Sequence, residues 1–276
     1  MKVALILKIL AIVLGLGVIG EFFIASNIIT SSKIKIERFS LKINNLPPAF
    51  KGVKILHLTD LHSKKFGEKE KEVLKLVSEL KPDFIFLTGD IIDWQTEDFE
   101  SCGLFWQKLA RDYPERIFGV YGNHEHRNRN FKNLDHLFEK NGIRILNNEA
   151  IRLERGREFI YLIGVDDPHL GYDNIEKAMR GLSKGVPKIL LAHSPEIFRK
   201  IKNKEISLVL VGHTHGCQIN IPILCDFIIP LKYDKQYKRG LFKENGIYMY
   251  VNRGIGETFL PLRFNSPPEI ALIELK

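Results

Sequence analysis

Five apolar runs in this sequence stop on polar residues that can hold or move charge: Asp60 and His62, Asp90, Asn123 with His124, His193, and the pair His213 and His215. In Gly212-His213-Thr214-His215 the two imidazoles are two positions apart, so they converge on one site once the chain leaves its strand and turns. Any one of these motifs is nearly uninformative; five in succession are not. Carboxylate, amide and imidazole donors without thiolate suit Mn²⁺, Fe or Zn²⁺ and do not suit a structural zinc site. The donors are too many for one ion. Two ions about 3.5–4 Å apart need a bridging carboxylate, and Asp90, next to Gly89 where backbones can approach closely, is the natural bridge.

Regular elements must hold these donors. The runs 53–59, 84–88 and 116–121 read as buried strands, separated by a helix over 68–80, with Val73, Leu76, Val77 and Leu80 on one face and Pro82 after it, and by a helical region around 99–109. This β-α-β-α-β order implies a mostly parallel, covered sheet with its donors at the carboxyl ends of the strands. A helix near 131–140 follows. Short strands are expected at 143–146, 151–154 and 158–163, a helix at 173–182, and further strands at 188–192 and 207–211. The tail adds strands at 247–251 and 269–274, which suit a second sheet packed on the first. The alternating stretch 34–39 reads as an edge strand. The fold class is therefore α/β.

The first 29 residues differ from the rest. Between Val3 and Ile29 the only charges are Lys8 and Glu21. The uncharged core from Ile9 to Gly20 matches the length of a signal-peptide core, whereas the whole run can span a bilayer if Lys8 and Glu21 reach the two interfaces. No convincing cleavage site follows, so the expected organisation is a single-pass membrane anchor over 1–29, a connector over 30–46 and a catalytic domain over 47–276. Lys33, Lys35, Arg38 and Lys42 outnumber Lys2 and Lys8, which favours a main domain facing the cytoplasm. The net charge of +8 suits an anionic partner. Basic residues form no stripe interleaved with stacking aromatics, so nucleic acid is not expected. Cys102, Cys217 and Cys225 form no CxxC pair and no even framework, and imply no structural disulfide.

The ordered set Asp-x-His, Gly-Asp, Gly-Asn-His-Glu, His and Gly-His-x-His resembles the calcineurin-like metallophosphoesterases over about residues 48–276. The resemblance implies a two-sheet β-sandwich flanked by helices, in αββα layers. It implies two divalent ions, Mn²⁺ first with Fe or Zn²⁺ as alternatives: Asp60, His62 and His215 on one, Asn123, His193 and His213 on the other, and Asp90 bridging them. A bridging hydroxide would attack phosphorus in line, with His124 stabilising the transition state or protonating the leaving oxygen. Asp93 and Glu125 are either acceptors that orient those groups or loop-capping carboxylates.

The run Gly212–Gln218, then 250–256 and 261–270, resembles a branch of small bacterial membrane-associated phosphoesterases that includes a UDP-2,3-diacylglucosamine pyrophosphatase of lipid A assembly. Cys217 stands where that branch usually has glycine. The implied activity is hydrolysis of a phosphodiester or diphosphate, with a lipid-linked nucleotide as the first substrate. A generic phosphodiesterase and a non-catalytic protein-binding scaffold are the alternatives. Retention of His124 beside every ligand type argues against the scaffold. Ile223, Leu224, Phe227, Ile228, Ile229 and Leu231, followed by Lys232, Lys235, Lys238 and Arg239, read equally as an interfacial loop or as core followed by a basic turn. Arg253 and Arg263 are candidate substrate-binding phosphate contacts, or structural ion pairs. His57 is expected to be packed, His126, His136 and His169 to lie on the surface, and Trp94 and Trp106 to be packing groups. Oligomeric state is not legible.

Overall fold

The computed structural model describes residues 2–30, 33–131, 134–221, 224–232, 234–258 and 260–276, with side chains for all of these but 2–5, 7, 22–30, 135 and 224. Two six-stranded sheets face each other. The first has the order β1 (Lys35–Leu41), β12 (Glu269–Leu275), β2 (Lys54–Leu58), β3 (Phe84–Thr88), β4 (Ile117–Val120) and β5 (Arg144–Ile145). Its neighbours are parallel except where β12 meets β2. The second has the order β10 (Gly240–Glu244), β11 (Ile247–Val251), β9 (Leu208–Val211), β8 (Lys188–Leu191), β7 (Glu158–Gly164) and β6 (Glu149–Arg155), antiparallel only at its two edges.

Period-two alternation sorts each strand's side chains between two cores. Ile55, Phe86, Phe118, Ile189, Leu191, Leu208 and Leu210 point into the space between the sheets. Leu56, Leu58, Ile85 and Leu87 point outward, where α2 (Glu68–Leu80), α3 (Phe99–Asp112) and α5 (Leu134–Lys140) cover them. Leu190, Val209 and Val211 point out of the other sheet toward α6 (Ile175–Ala178) and α7 (Phe198–Ile201). Burial on both faces is why these strands read as unbroken apolar runs. The helices obey local rules: α2 buries Val73, Val77 and Leu80 along one stripe. At the start of α3 the Asp98 carboxylate accepts from Ser101 N–H, a cap that contributes about 1 kcal/mol.

The αββα layering is as expected, with differences of pairing. β5 and β12 belong to the first sheet, not the second; β12 lies between β1 and β2 because Ile270 and Ala271 are buried on opposite faces. Apolar alternation specifies a two-sided strand but not its neighbour. The helix expected over 173–182 is a single turn, α6, capped by Asn174. Cys217 and Cys225 are joined by a disulfide, with Cα atoms 5.5 Å apart, which corrects the reading of the cysteines; Cys102 is free and buried. Cys225 sits on a short helix, α8 (Leu224–Ile228), and Ile223 lies outside the described residues.

The N-terminal run is one helix, α1 (Lys2–Thr30). From Ile9 to Ile19 its large apolar side chains are all more than half exposed. Among the described residues no helix is long and apolar enough to cross a membrane, so the single-pass span expected over 1–29 is not found.

Candidate metal centre

Register brings the donors together. Leu58 pairs with Leu87 and Leu87 with Gly119, so Asp60, Asp90 and Asn123 leave adjacent strands of the first sheet at one level. Leu191 pairs with Leu210 in the second sheet, which does the same for His193 and His213. The centre therefore lies where the carboxyl ends of both sheets meet.

The turns out of these strands are sharp. Asp60, His62, Asp90, His213 and His215 all have positive φ, from 45° to 68°, which costs a non-glycine residue about 1–3 kcal/mol. Hydrogen bonds between the loops hold them there: Asp60 N–H donates to Gly89 O (3.1 Å), His62 N–H to Asp90 O (3.0 Å) and Gly212 N–H to His193 O (2.9 Å). Gly89 has φ +83°, and a Cβ there would stand 2.6 Å from Gly122 N. At Gly212 a Cβ would collide with the Asp60 carboxylate and the Thr59 hydroxyl. Glycine is required at both positions by the approach of one loop to the next.

Two groups of donors form, sharing Asp90. His215 Nε2 is 3.3 Å from Asp60 Oδ1 and 3.1 Å from His62 Nε2. His193 Nε2 is 3.1 Å from Asn123 Oδ1, 3.0 Å from His213 Nδ1 and 3.3 Å from Asp90 Oδ2. Asp90 Oδ2 is also 3.8 Å from His62 Nε2, so one carboxylate oxygen stands between the groups. All seven residues are buried.

The donor set fits divalent ions. His193 Nδ1–H donates to Thr88 O (2.8 Å) and His213 Nε2–H to Pro230 O (3.2 Å), which leaves His193 Nε2 and His213 Nδ1 as lone pairs facing each other. Together with Asn123 Oδ1 and Asp90 Oδ2 they are four acceptor atoms aimed at one point, an arrangement that a proton on His193 or a metal cation satisfies. Burial holds His62 and His213 well below the ordinary imidazole value, as ligands require. Burial opposes ionisation of Asp90 and Asp60, but the surrounding histidines outweigh it and both are held well below the usual carboxylate range. Burial likewise opposes charge on His193, where Asp90 wins and raises it; a cation would displace that proton.

His124 stands beside this centre. Its Nε2 is 3.9 Å from Asp90 Oδ2 and its Nδ1 is 3.5 Å from Asp93 Oδ2. Burial lowers its pKa, Asp90 and Asp93 raise it, and the net direction is upward. Asp93 Oδ2 is also 3.7 Å from His62 Nδ1, so this carboxylate faces both rings; His124 and its neighbours outweigh burial and bring Asp93 to about 2. Glu125 does not touch His124. Its carboxylate accepts from the N–H groups of Asp90, Ile91, Ile92 and Gly122 and so clamps the Asp90 turn; burial and the Asp90 charge push it up to about 7.

Arg253 and Arg263 are not open phosphate contacts. Arg253 pairs with Glu269 and, at 2.9 Å, with Glu37. Arg263 is fully buried, donates to the carbonyls of Gly256, Ser266 and Arg253, and places Nη2 3.2 Å from His215 Nδ1. Arg263 backs His215 from the interior, and Arg253 is held in an ion-pair network away from the donors. Two other histidines are misplaced by sequence: His126 pairs with Asp166 (2.5 Å), and the His169 ring lies 4.5 Å from that of His213 with Nδ1 3.2 Å from Glu196. Asp166 and His169 follow β7, another parallel strand, so the strand-end pattern extends to a sixth strand. His57 is buried with Nε2 2.8 Å from Thr88 Oγ1, and Trp106 is core, whereas Trp94 is 46% exposed.

Two clefts open on the centre and share His124, Arg127, Thr258 and Leu260. One, of about 880 Å³, carries Lys64, Lys65, Lys69 and Trp94. The other, of about 410 Å³, runs over His213 toward Ile219, Ile228 and Pro230.

Comparison with known proteins points the same way. Residues 53–217 match the family described as calcineurin-like phosphoesterase. The chain is 33% identical over 248 residues to the metallophosphoesterase YkuE of Bacillus subtilis, covering 88% of this chain and 86% of that one. It is 30% identical over 227 residues to the phosphodiesterase YaeI of Escherichia coli, covering 80% and 82%. A metallophosphoesterase of Aquifex aeolicus is 31% identical over 254 residues, with 88% and 92% covered.

Proposed function

We propose, because the chain belongs to the calcineurin-like phosphoesterase family and is a metal-dependent phosphoesterase, that it hydrolyses phosphodiester bonds of amphiphilic substrates at a membrane surface. The observation that carries the reaction is the convergence of seven buried donors from five strand ends, in two groups with Asp90 between them. Asp60, His62 and His215 would hold one divalent ion and Asn123, His193 and His213 the other, with Asp90 shared; Mn²⁺ is the proposed metal. When bound, such a pair lowers the pKa of a water held between the ions and neutralises charge on phosphate oxygens.

The chain's own residues supply the remainder. His124 directs Nε2 at the shared carboxylate and gives its proton to the leaving oxygen, while Asp93 orients the ring and keeps it charged. Glu125 fixes the Asp90 turn, and burial of the centre excludes bulk water.

Attachment of α1 to a membrane surface is supported by the exposed apolar side chains between Ile9 and Ile19, which a globular surface does not tolerate. The name of YaeI supports a phosphodiesterase, and the Cys217–Cys225 bond supports a catalytic domain on an oxidising face of the membrane. A second reading, cleavage of the diphosphate of UDP-2,3-diacylglucosamine, takes support from the excess of Lys33, Lys35, Arg38 and Lys42, which favours the cytoplasmic face.

Mass spectrometry of products decides between them. The Mn²⁺-loaded chain is offered a phospholipid, UDP-2,3-diacylglucosamine and bis-p-nitrophenyl phosphate. Phosphodiester products without UMP support the first reading, UMP from the nucleotide lipid alone the second, and no hydrolysis of any of the three would sink both.

A further inference from the structure

Outside α1, the described residues include seven large hydrophobic side chains that are exposed: Trp94, Leu104, Tyr172, Phe227, Ile228, Leu241 and Leu260. Three of them line the two clefts that open on the centre, and a fourth is next to one of these in the chain. Trp94 and Leu260 line the larger cleft, Ile228 and Leu260 line the smaller, and Phe227, 78% exposed, precedes Ile228 on α8. They come from three separate segments of the chain.

Each segment is held in place. The Trp94 loop is tied by Asn128 Nδ2 donating to the carbonyls of Asp93 and Trp94 (3.3 Å each) and of Thr96 (3.0 Å). The Gln218 amide donates to the carbonyls of Thr258, Leu260 and Leu262, at 2.8–3.0 Å. α8 is fixed by the Cys217–Cys225 bond, and the segment after it by Lys232 N–H donating to Glu196 (2.8 Å). An apolar rim on tethered loops costs solvation free energy in water unless something covers it. Lys64, Lys65 and Arg127 stand exposed in the adjoining cleft wall beside Glu68 and Glu257, whereas Lys69 there donates to Leu61 O (2.7 Å) and Lys235 and Lys238 are bound to Asp226 on α8 itself.

We infer that this rim is a membrane-docking surface: Trp94, Phe227, Ile228 and Leu260 enter the headgroup–acyl boundary of an anionic phospholipid bilayer while the surrounding cations meet its phosphates. Apolar side chains beside exposed cations are the composition of an interfacial surface, and the chain's net charge of +8 suits anionic lipid. The inference rests on the reading of α1 as an anchor, which keeps the bilayer within reach. It goes further in stating which face of the catalytic domain the bilayer covers, so that an amphiphile reaches the metal centre without its apolar part crossing water.

Trp94 is the reporter, since the only other tryptophan, Trp106, is 1% exposed within the core. Full-length protein is mixed with anionic vesicles carrying phospholipid brominated in mid-chain. The expected result is quenching of tryptophan emission in the wild type and little in Trp94→Phe. Protein that sediments with vesicles but shows no Trp94 quenching is anchored with the rim turned away, which overturns the docking and leaves the anchor standing. Failure to sediment at all overturns both. A dimer that shields Trp94 without lipid overturns the inference in favour of a second copy. Independently, Phe227→Asp is expected to slow turnover of a vesicle-borne diester by roughly tenfold or more, the scale of a lost aromatic burial, and to leave soluble bis-p-nitrophenyl phosphate unaffected. An equal effect on both substrates counts against docking.

Discussion

The two halves of the metal centre are built differently. The Asp60, His62 and His215 group has a carboxylate of its own besides the shared Asp90, and it is backed from the interior by Arg263 behind His215 and Asp93 behind His62. The Asn123, His193 and His213 group has only neutral donors besides Asp90, and its ring orientations depend on two backbone carbonyls, those of Thr88 and Pro230. Pro230 lies just after α8, in the disulfide-tethered segment that carries the exposed rim. In the proposed assignment one ion would be held by charge and core packing, the other by dipoles and a surface segment. Charge count sets affinity for hard divalent ions, so the second position is expected to be the weaker one and the one coupled to the cleft face.

That contrast can be tested from its common element outward. Asp90→Ala removes the shared carboxylate, and elemental analysis should find both ions lost, with diester hydrolysis down by at least about 10³-fold; full retention of either ion would break the picture of a shared bridge. His124→Ala is expected to retain both ions and lose roughly 10²–10⁴-fold in kcat, the range of a removed general acid. Metal loss in that variant would move His124 into the ligand set.

Separating the halves is the sharper test. Mn²⁺ titration of the wild type should show two steps; His213→Ala is expected to remove the weaker and His215→Ala the tighter, and equal loss of both in each variant would erase the distinction. Asp93→Asn should have the smallest effect, roughly tenfold or less, but a diagnostic pH dependence. Burial lowers the His124 pKa, and the Asp90 and Asp93 charges more than restore it. As an acid His124 works while protonated, so kcat falls as pH rises through that raised value. Removing the Asp93 charge lowers the value, and the alkaline limb must move toward acid. A limb that stays in place would show that Asp93 serves only its loop.

The contrast also shows where sequence reasoning stops. The ligands were legible because each is a local event, an apolar run broken by a donor, and six strand ends obey that rule once Asp166 and His169 after β7 are included. Sequence leaves Arg253 and Arg263 open between phosphate contact and structural pair, because an arginine near a glycine-rich loop looks the same whether it meets a phosphate or Glu269; the structure shows the internal pairings. Trp94 was misread because exposure depends on what packs over it.

What the sequence determined by itself is the α/β class, the order of the donors and the chemistry they permit, since strand period and residue type are short-range properties. Only the tertiary structure decided that His62 and His215, 153 residues apart, share one half of the centre, that β12 completes the first sheet, that Cys217 meets Cys225, and that exposed apolar side chains from three segments line the two clefts. Pairing, burial and convergence are relations between distant residues. They are fixed by which surfaces exclude water together, and no local pattern records that.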